Sequence, residues 1–177
     1  MTEFSNNIKR EHEDFAILSK ALLEQYGAAI KMLERIMNKC PEKTWNDRSS
    51  GPPFWQVSYH AMHFLDWYLG SSKEEREEFQ KEFKDFPHQF DRVPEEILTR
   101  KQLINYLSQI KKKTKKRLEN ISVSELMQPS VFEWHGNSVL SSLMYNLRHV
   151  MVHIGALSSK LHRIGVDFES WVSKAPI

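Results

Sequence analysis

The sequence predicts an all-α protein: a bundle of four long helices, with an extra short helical segment between the second and third. Three observations predict it. Apolar residues recur at three- and four-residue intervals over four long stretches, as one buried helix face requires. No stretch gives a strand signal. Glycine is scarce, at 6 of 177 residues, and the 7 prolines fall mostly at the joints between the stretches. A chain of this length can bury a sizeable core as one domain, so residues 1–177 are read as a single helical-bundle domain.

The first helix is expected from about Ile8 to Asn38. Phe15, Leu18, Leu22, Tyr26, Ile30, Leu33 and Met37 line its buried face, and Gly27 within it permits a close approach of packed backbone. Pro41 and the polar run to Pro53 end the pattern, with Gly51, Pro52 and Pro53 as punctuation; this loop is long enough to fold over something. The second helix is expected over Phe54–Leu69, rich in Trp, Tyr and Phe and therefore mostly buried, with Gly70 as its C-cap. His60 and His63 lie within it. Residues 71–96 read as a polar insertion, with Ser71 or Ser72 capping a short charged helix whose first-turn acids suit its dipole.

The third helix is expected from about Thr99 to Asn120. Leu103, Tyr106, Leu107, Ile110, Leu118 and Ile121 keep helical spacing, with Thr114 filling the gap. Its basic run KKKTKKR at 111–117 reads as a solvated face with packed alkyl stems, not as a nucleic-acid patch. The fourth helix begins near Asn137 or Ser138 and ends at Gly165. Leu140, Leu143, Met144, Leu147, Val150, Met151, Ile154, Leu157 and Leu161 form its apolar arc. Phe168 and Trp171 in the tail are expected to dock on the bundle.

Lys plus Arg is 25 and Asp plus Glu is 23, a formal net charge of +2, too near neutral to point to nucleic acid or an anionic membrane. The N-terminus lacks the apolar stretch of a signal peptide, and no run approaches the roughly 18 apolar residues of a membrane span. The single cysteine, Cys40, excludes an internal disulfide and a multi-cysteine zinc site, which fits a reducing cytoplasm.

The chemistry concentrates on the fourth helix, where His149 and His153 stand four residues apart. Residues at that spacing share a helix face, so both imidazoles point one way, at the border between apolar arc and solvent. A lone HxxxH is a weak motif, because histidine is common on amphipathic helices without any metal. A third ligand from another helix would make a divalent-metal site with an open position. On the second helix both His60 and His63 can be tried in that role; His60, at the border of its arc, mirrors His153 and is better placed. Three neutral imidazoles would accept zinc, the default, or nickel or iron(II).

With YHAMHFLDWYLG on the second helix and HVMVHIGAL on the fourth, the chain resembles the DinB-like superfamily of small metal-binding four-helix proteins over roughly residues 8 to 165. In that family a His on the second helix joins an HxxxH on the fourth. The resemblance therefore implies His60, His149 and His153 as metal ligands. It also implies relatives that are transferases and isomerases using low-molecular-weight thiols such as bacillithiol or mycothiol. The longer middle connection at 71–96 departs from the compact members at the cleft rim. Three functions compete: a metal-dependent transferase joining a small-molecule thiol to an electrophile, a metal-dependent hydrolase, and a non-catalytic bundle in which a metal staples two helices. No Glu adjoins the HxxxH, which disfavours hydrolysis. Cys40, beyond the first helix, is a small partly buried residue and a poor nucleophile. A homodimer stays open alongside a monomer.

Overall fold

The computed structural model describes residues 2–70, 72, 74–75, 86, 89–90, 94–119, 121–169 and 171–177, with side chains from residue 16 onward apart from that of Glu133. Its helices are α1 (Thr2–Lys39), α2 (Glu42–Trp45), α3 (Phe54–Trp67), α4 (Arg100–Glu119), α5 (Val123–Leu126) and α6 (Val139–Arg163), with one 3-10 turn at Glu133–His135. The described residues contain no strand. No helix among them is long and apolar enough to cross a membrane.

The four long helices form a ring in the order α1, α4, α3, α6, each packed on its two neighbours. Side-chain bonds fix their directions. Ser19 donates to the Leu118 carbonyl at 2.8 Å near one end, and Arg100 donates to the Cys40 carbonyl at 2.5 Å at the other, so α1 and α4 are antiparallel. Asn146 donates to the Leu65 carbonyl at 3.0 Å, and Lys160 to the Pro52 carbonyl at 3.3 Å, so α3 and α6 are antiparallel. Trp45, just before α3, donates to the Leu98 carbonyl just before α4 at 2.9 Å, while Asp66 near the end of α3 pairs with Lys113. Hence α3 and α4 run parallel. Two parallel neighbours cannot be joined by a short turn; the chain must return along the bundle first. The segment expected as an insertion at 71–96 is thus the crossover that this topology demands.

Only parts of that crossover are described. Ser72 accepts the Glu75 backbone N–H at 3.3 Å, the capping contact expected there; the rest of the expected charged helix lies outside the described residues. The Gln89 carbonyl accepts from Gln56 at 3.2 Å, and Phe86 meets the Tyr59 ring edge-on at 6.2 Å. Phe86 and Gln89 of the crossover therefore lie against α3.

Tyr26, Leu33, Ile36 and Met37 of α1, Trp55, Met62 and Leu65 of α3, Leu103 and Leu118 of α4, and Val150 and Leu161 of α6 are buried in one core. Ser138 caps α6, its hydroxyl accepting the Ser141 N–H at 3.2 Å. α3 stops at Trp67 with Tyr68, not Gly70, as its C-cap. The last four carbonyls of a helix need outside partners, and those of α3 all find one. Tyr68, Leu69 and Gly70 backbone N–H groups serve Phe64, Asp66 and Trp67, and Asn146 serves Leu65.

Other expectations change in instructive ways. The loop after α1 contains α2, whose Trp45 is buried. In the basic run, Lys113 and Arg117 are drawn inward: Lys113 pairs with the buried Asp66 at 2.5 Å, and Arg117 pairs with Glu125. Met144, placed in the apolar arc, is 63% exposed. In the tail Phe168 docks, stacking on His162 at 5.3 Å. Trp171 stays exposed, and Val172 and Ile177 pack on the core instead.

The tail explains Gly27. Ala175 N–H donates to the Glu24 carbonyl at 3.2 Å, and a Cβ added at Gly27 would stand 2.2 Å from the Ala175 carbonyl oxygen. Backbone at that distance cannot be accommodated without moving. In a free helix, Gly→Ala stabilises by about 1 kcal/mol. The clash reverses that sign here: Gly27→Ala is expected to lower the melting temperature and expose residues 171–177 to limited proteolysis. A variant that melts higher with its tail still protected would show that the tail is not seated on α1.

Candidate metal centre

His60 comes from α3, and His149 and His153 come from α6. The Asn146–Leu65 bond sets their register. Counting five residues back from Leu65 and five forward from Asn146, as antiparallel helices require, puts His60 level with position 151, midway between the two histidines of α6. Each ring offers one nitrogen, and the three nitrogens all lie within 4.8 Å of one another. The Nε2 atoms of His149 and His153 are 3.2 Å apart. Ring centroids lie at 5.4 Å for His60–His149, 4.5 Å for His60–His153 and 4.6 Å for His149–His153.

Aromatic packing orients the rings. His60, buried, lies between Phe64, edge-on at 4.8 Å, and Phe90 from the crossover, stacked at 4.5 Å. His149 meets the edge of Phe64 at 5.2 Å and stacks parallel to Tyr145 at 6.4 Å; its buried Nδ1 makes no hydrogen bond within the described residues. Burial pushes the pKa values of His149 and His153 down to about 4, and a charge on neighbouring His60 would push the same way. The rings are therefore neutral at physiological pH, the form that binds a metal. Three converging imidazoles on two helices, with His149 and His153 held neutral, fit a divalent cation with an open position.

His63 stands outside this cluster. It faces the rings of Tyr59 at 5.8 Å, Phe64 at 5.1 Å and Trp67 at 6.3 Å. Cys40 is buried more completely than expected, and burial pushes its thiol up to about 12, so it offers no thiolate. Asp66, the nearest buried carboxylate along α3, is committed to Lys113 and to Tyr106, whose hydroxyl donates to it at 3.1 Å. Among the described residues no carboxylate joins the three histidines.

Two residues at this site escaped the sequence reading. Asn146 sits within the stretch of the apolar arc and is fully buried; a polar side chain among core positions was the available signal. His135, between the expected third and fourth helices, is buried with neither ring nitrogen hydrogen-bonded among the described residues. It stacks on Tyr145 at 3.9 Å and meets Tyr68 edge-on at 4.2 Å. Burial pushes its pKa down to about 4, so it fills space as a neutral aromatic ring. With Phe64, Tyr68, Phe132 and Trp67 it walls the triad on the side of the α6 N-terminus.

The comparisons with known proteins agree with this architecture. The family model of the DinB superfamily matches residues 25–157. A crystal structure of a candidate member of the DinB family from Exiguobacterium sibiricum superposes with a TM-score of 0.59 at 19% identity, covering 85% of this chain and 94% of that one. At that identity the likeness is one of fold. No curated protein matches.

Two outcomes are expected. His60→Ala lowers bound metal from about one ion per chain by an order of magnitude or more in affinity, since each ring is one of three protein ligands, whereas His63→Ala keeps most of it; metal analysis after dialysis would show the reverse if the α3 assignment is wrong. The second concerns pH. His149 and His153 protonate near 4 in the fold but near 6.5 in the unfolded chain. The unfolded chain therefore binds more protons between those values, and stability falls as pH drops through that window. Thermal melts of chelated protein should fall by several degrees from pH 6.5 to 4, and the His149→Gln, His153→Gln double variant should flatten the fall. An equal slope in both proteins would mean that the rings are not held neutral.

Proposed function

The chain belongs to the DinB superfamily, and from that premise we propose that His60, His149 and His153 hold a divalent ion at which a low-molecular-weight thiol is joined to a small electrophile. The observation that carries the reading is the donor set: three converging imidazole nitrogens, with no carboxylate beside them among the described residues. Such a set holds a cation without neutralising it. A cation bound there would act as a Lewis acid, lowering the pKa of a thiol or water at its open position.

The chain's own residues divide the remaining work. The aromatic wall of Phe64, Tyr68, Phe132 and Tyr145 excludes water on one side of the triad and holds the imidazoles in place. Phe90 covers His60 from the crossover. Hydrolysis would further need a general base within hydrogen-bond reach of the attacking water. The absence of a carboxylate from the described cluster favours the thiol, which sheds its proton more readily and needs no such base. Zinc suits three imidazoles and an open position; nickel and iron(II) accept the same donors. A structural role for the ion, bridging α3 to α6, is the competing reading. It is favoured by the placement of the donors on two antiparallel helices.

The expected outcome is thiol-dependent consumption of an electrophilic dye by metal-loaded protein, reduced at least a hundredfold by chelation or by His153→Ala. A panel of cysteine, coenzyme A, bacillithiol and mycothiol would identify the thiol. If no thiol is consumed while chelation lowers the melting temperature by several degrees, the ion is a structural staple.

A further inference from the structure

On the side of the triad away from the aromatic wall, α3, α6 and the loop between α2 and α3 enclose a groove of about 570 Å³. Val57 and Ala156 are among its lining residues. Val57 stands one helical turn before His60, and Ala156 one turn after His153, so the near end of the groove lies about one turn along both helices from the triad. Its far end carries Lys160 and Arg163. Lys160 lies seven residues beyond His153, which is two turns along the same face, a rise of roughly 10 Å at 1.5 Å per residue. Ala156 lies between them on that face, and its small side chain leaves the floor of the groove low.

The polar groups have an uneven balance. Two cations face one carboxylate, that of Asp47, which accepts from the backbone N–H and hydroxyl of Ser49, each at 3.0 Å, and also feels the charge of Lys160, leaving the groove with one cation in excess. Lys160 donates to the backbone carbonyls of Asp47 at 3.4 Å and Pro52 at 3.3 Å. An ammonium group has three donors, so one stays available towards the groove. Arg163 makes no ion pair among the described residues.

We propose that this groove is the subsite for an anionic tail on the thiol, with Lys160 receiving a carboxylate about two helical turns from the metal-binding histidines. The proposal rests on the reading of the triad as a thiol-binding metal centre, and it names what that reading leaves open, the chemical class of the thiol. A neutral short thiol leaves the groove unused. A thiol that carries a carboxylate at a span of about 10 Å reaches both ends, and a charge-assisted bond in a partly desolvated groove favours it over a neutral analogue.

The test uses the cobalt-loaded protein, in which thiol binding is read from the thiolate-to-cobalt absorption. Two series of probes of increasing chain length are titrated: ω-mercaptocarboxylates and ω-mercaptoalcohols. The acid should bind about tenfold tighter than the alcohol of equal length once its span reaches about 10 Å, with no preference at the shortest chains. Lys160→Gln should abolish that preference and leave alcohol binding unchanged. Circular dichroism of each variant checks that the fold is retained. Lys160→Arg should keep the preference, and Arg163→Gln should reduce it. Equal binding of acid and alcohol at every length, or a preference that survives Lys160→Gln, would overturn the proposal while leaving the metal centre intact. If neither series perturbs the cobalt spectrum, the thiol reading itself fails and this subsite with it.

Discussion

One buried hydrogen bond sets the geometry on which the rest depends. Asn146 of α6 donates to the Leu65 carbonyl of α3, one of the carbonyls that the end of α3 leaves without a helical partner. A fully buried carboxamide is costly to place without a partner, so two antiparallel helices that could otherwise slide are held at one register. A shift by a single residue would move His60 by about 1.5 Å and turn it by about 100° around its helix. The convergence of three nitrogens could not survive that. α4 reinforces the same end of α3 through the Lys113 ammonium, which bonds both the Asp66 carbonyl and its carboxylate.

The surroundings of the triad then follow from which residues flank each histidine. Towards the start of α6 they are aromatic: Tyr145, His135, Tyr68 and Phe132 pack into a second small core. Towards its end they are small or charged: Ala156, Ser159, Lys160 and Arg163. The histidines thus stand beside an aromatic wall, with a polar groove about one helical turn farther along α6. Burial beside the wall keeps His149 and His153 neutral by desolvation. A metal centre deeper in the core would be inaccessible, and one farther out would hold protonated rings.

The bundle and the pairing of His149 with His153 were legible in the sequence because both depend on local spacing. Apolar residues at helical intervals report a buried face, and two residues four apart share a side whatever the tertiary fold. The preference for His60 over His63 as the residue beside them was legible for the same reason, from its place around the helical wheel. What could not be read came from contacts between distant segments. Gly27 is explained only by Ala175, nearly the whole chain away. Lys113 looked like part of a solvated basic face until Asp66 was placed beside it. The middle segment looked like an insertion because α3 and α4 being parallel is a property of the assembled bundle. Met144 and Trp171 show the opposite error, since an apolar residue at a suitable position need not find a partner.

The central claim is that three imidazoles from two helices supply the protein's whole share of a metal's coordination. X-ray absorption spectroscopy of the metal-loaded protein tests it most directly. The account predicts a first shell of nitrogen and oxygen scatterers at about 2.0–2.1 Å for zinc, with outer-shell imidazole scattering that fits three rings. Addition of a binding thiol should bring in one sulfur at about 2.3 Å. A shell that fits only one or two imidazoles, or one that contains sulfur before any thiol is added, would contradict it.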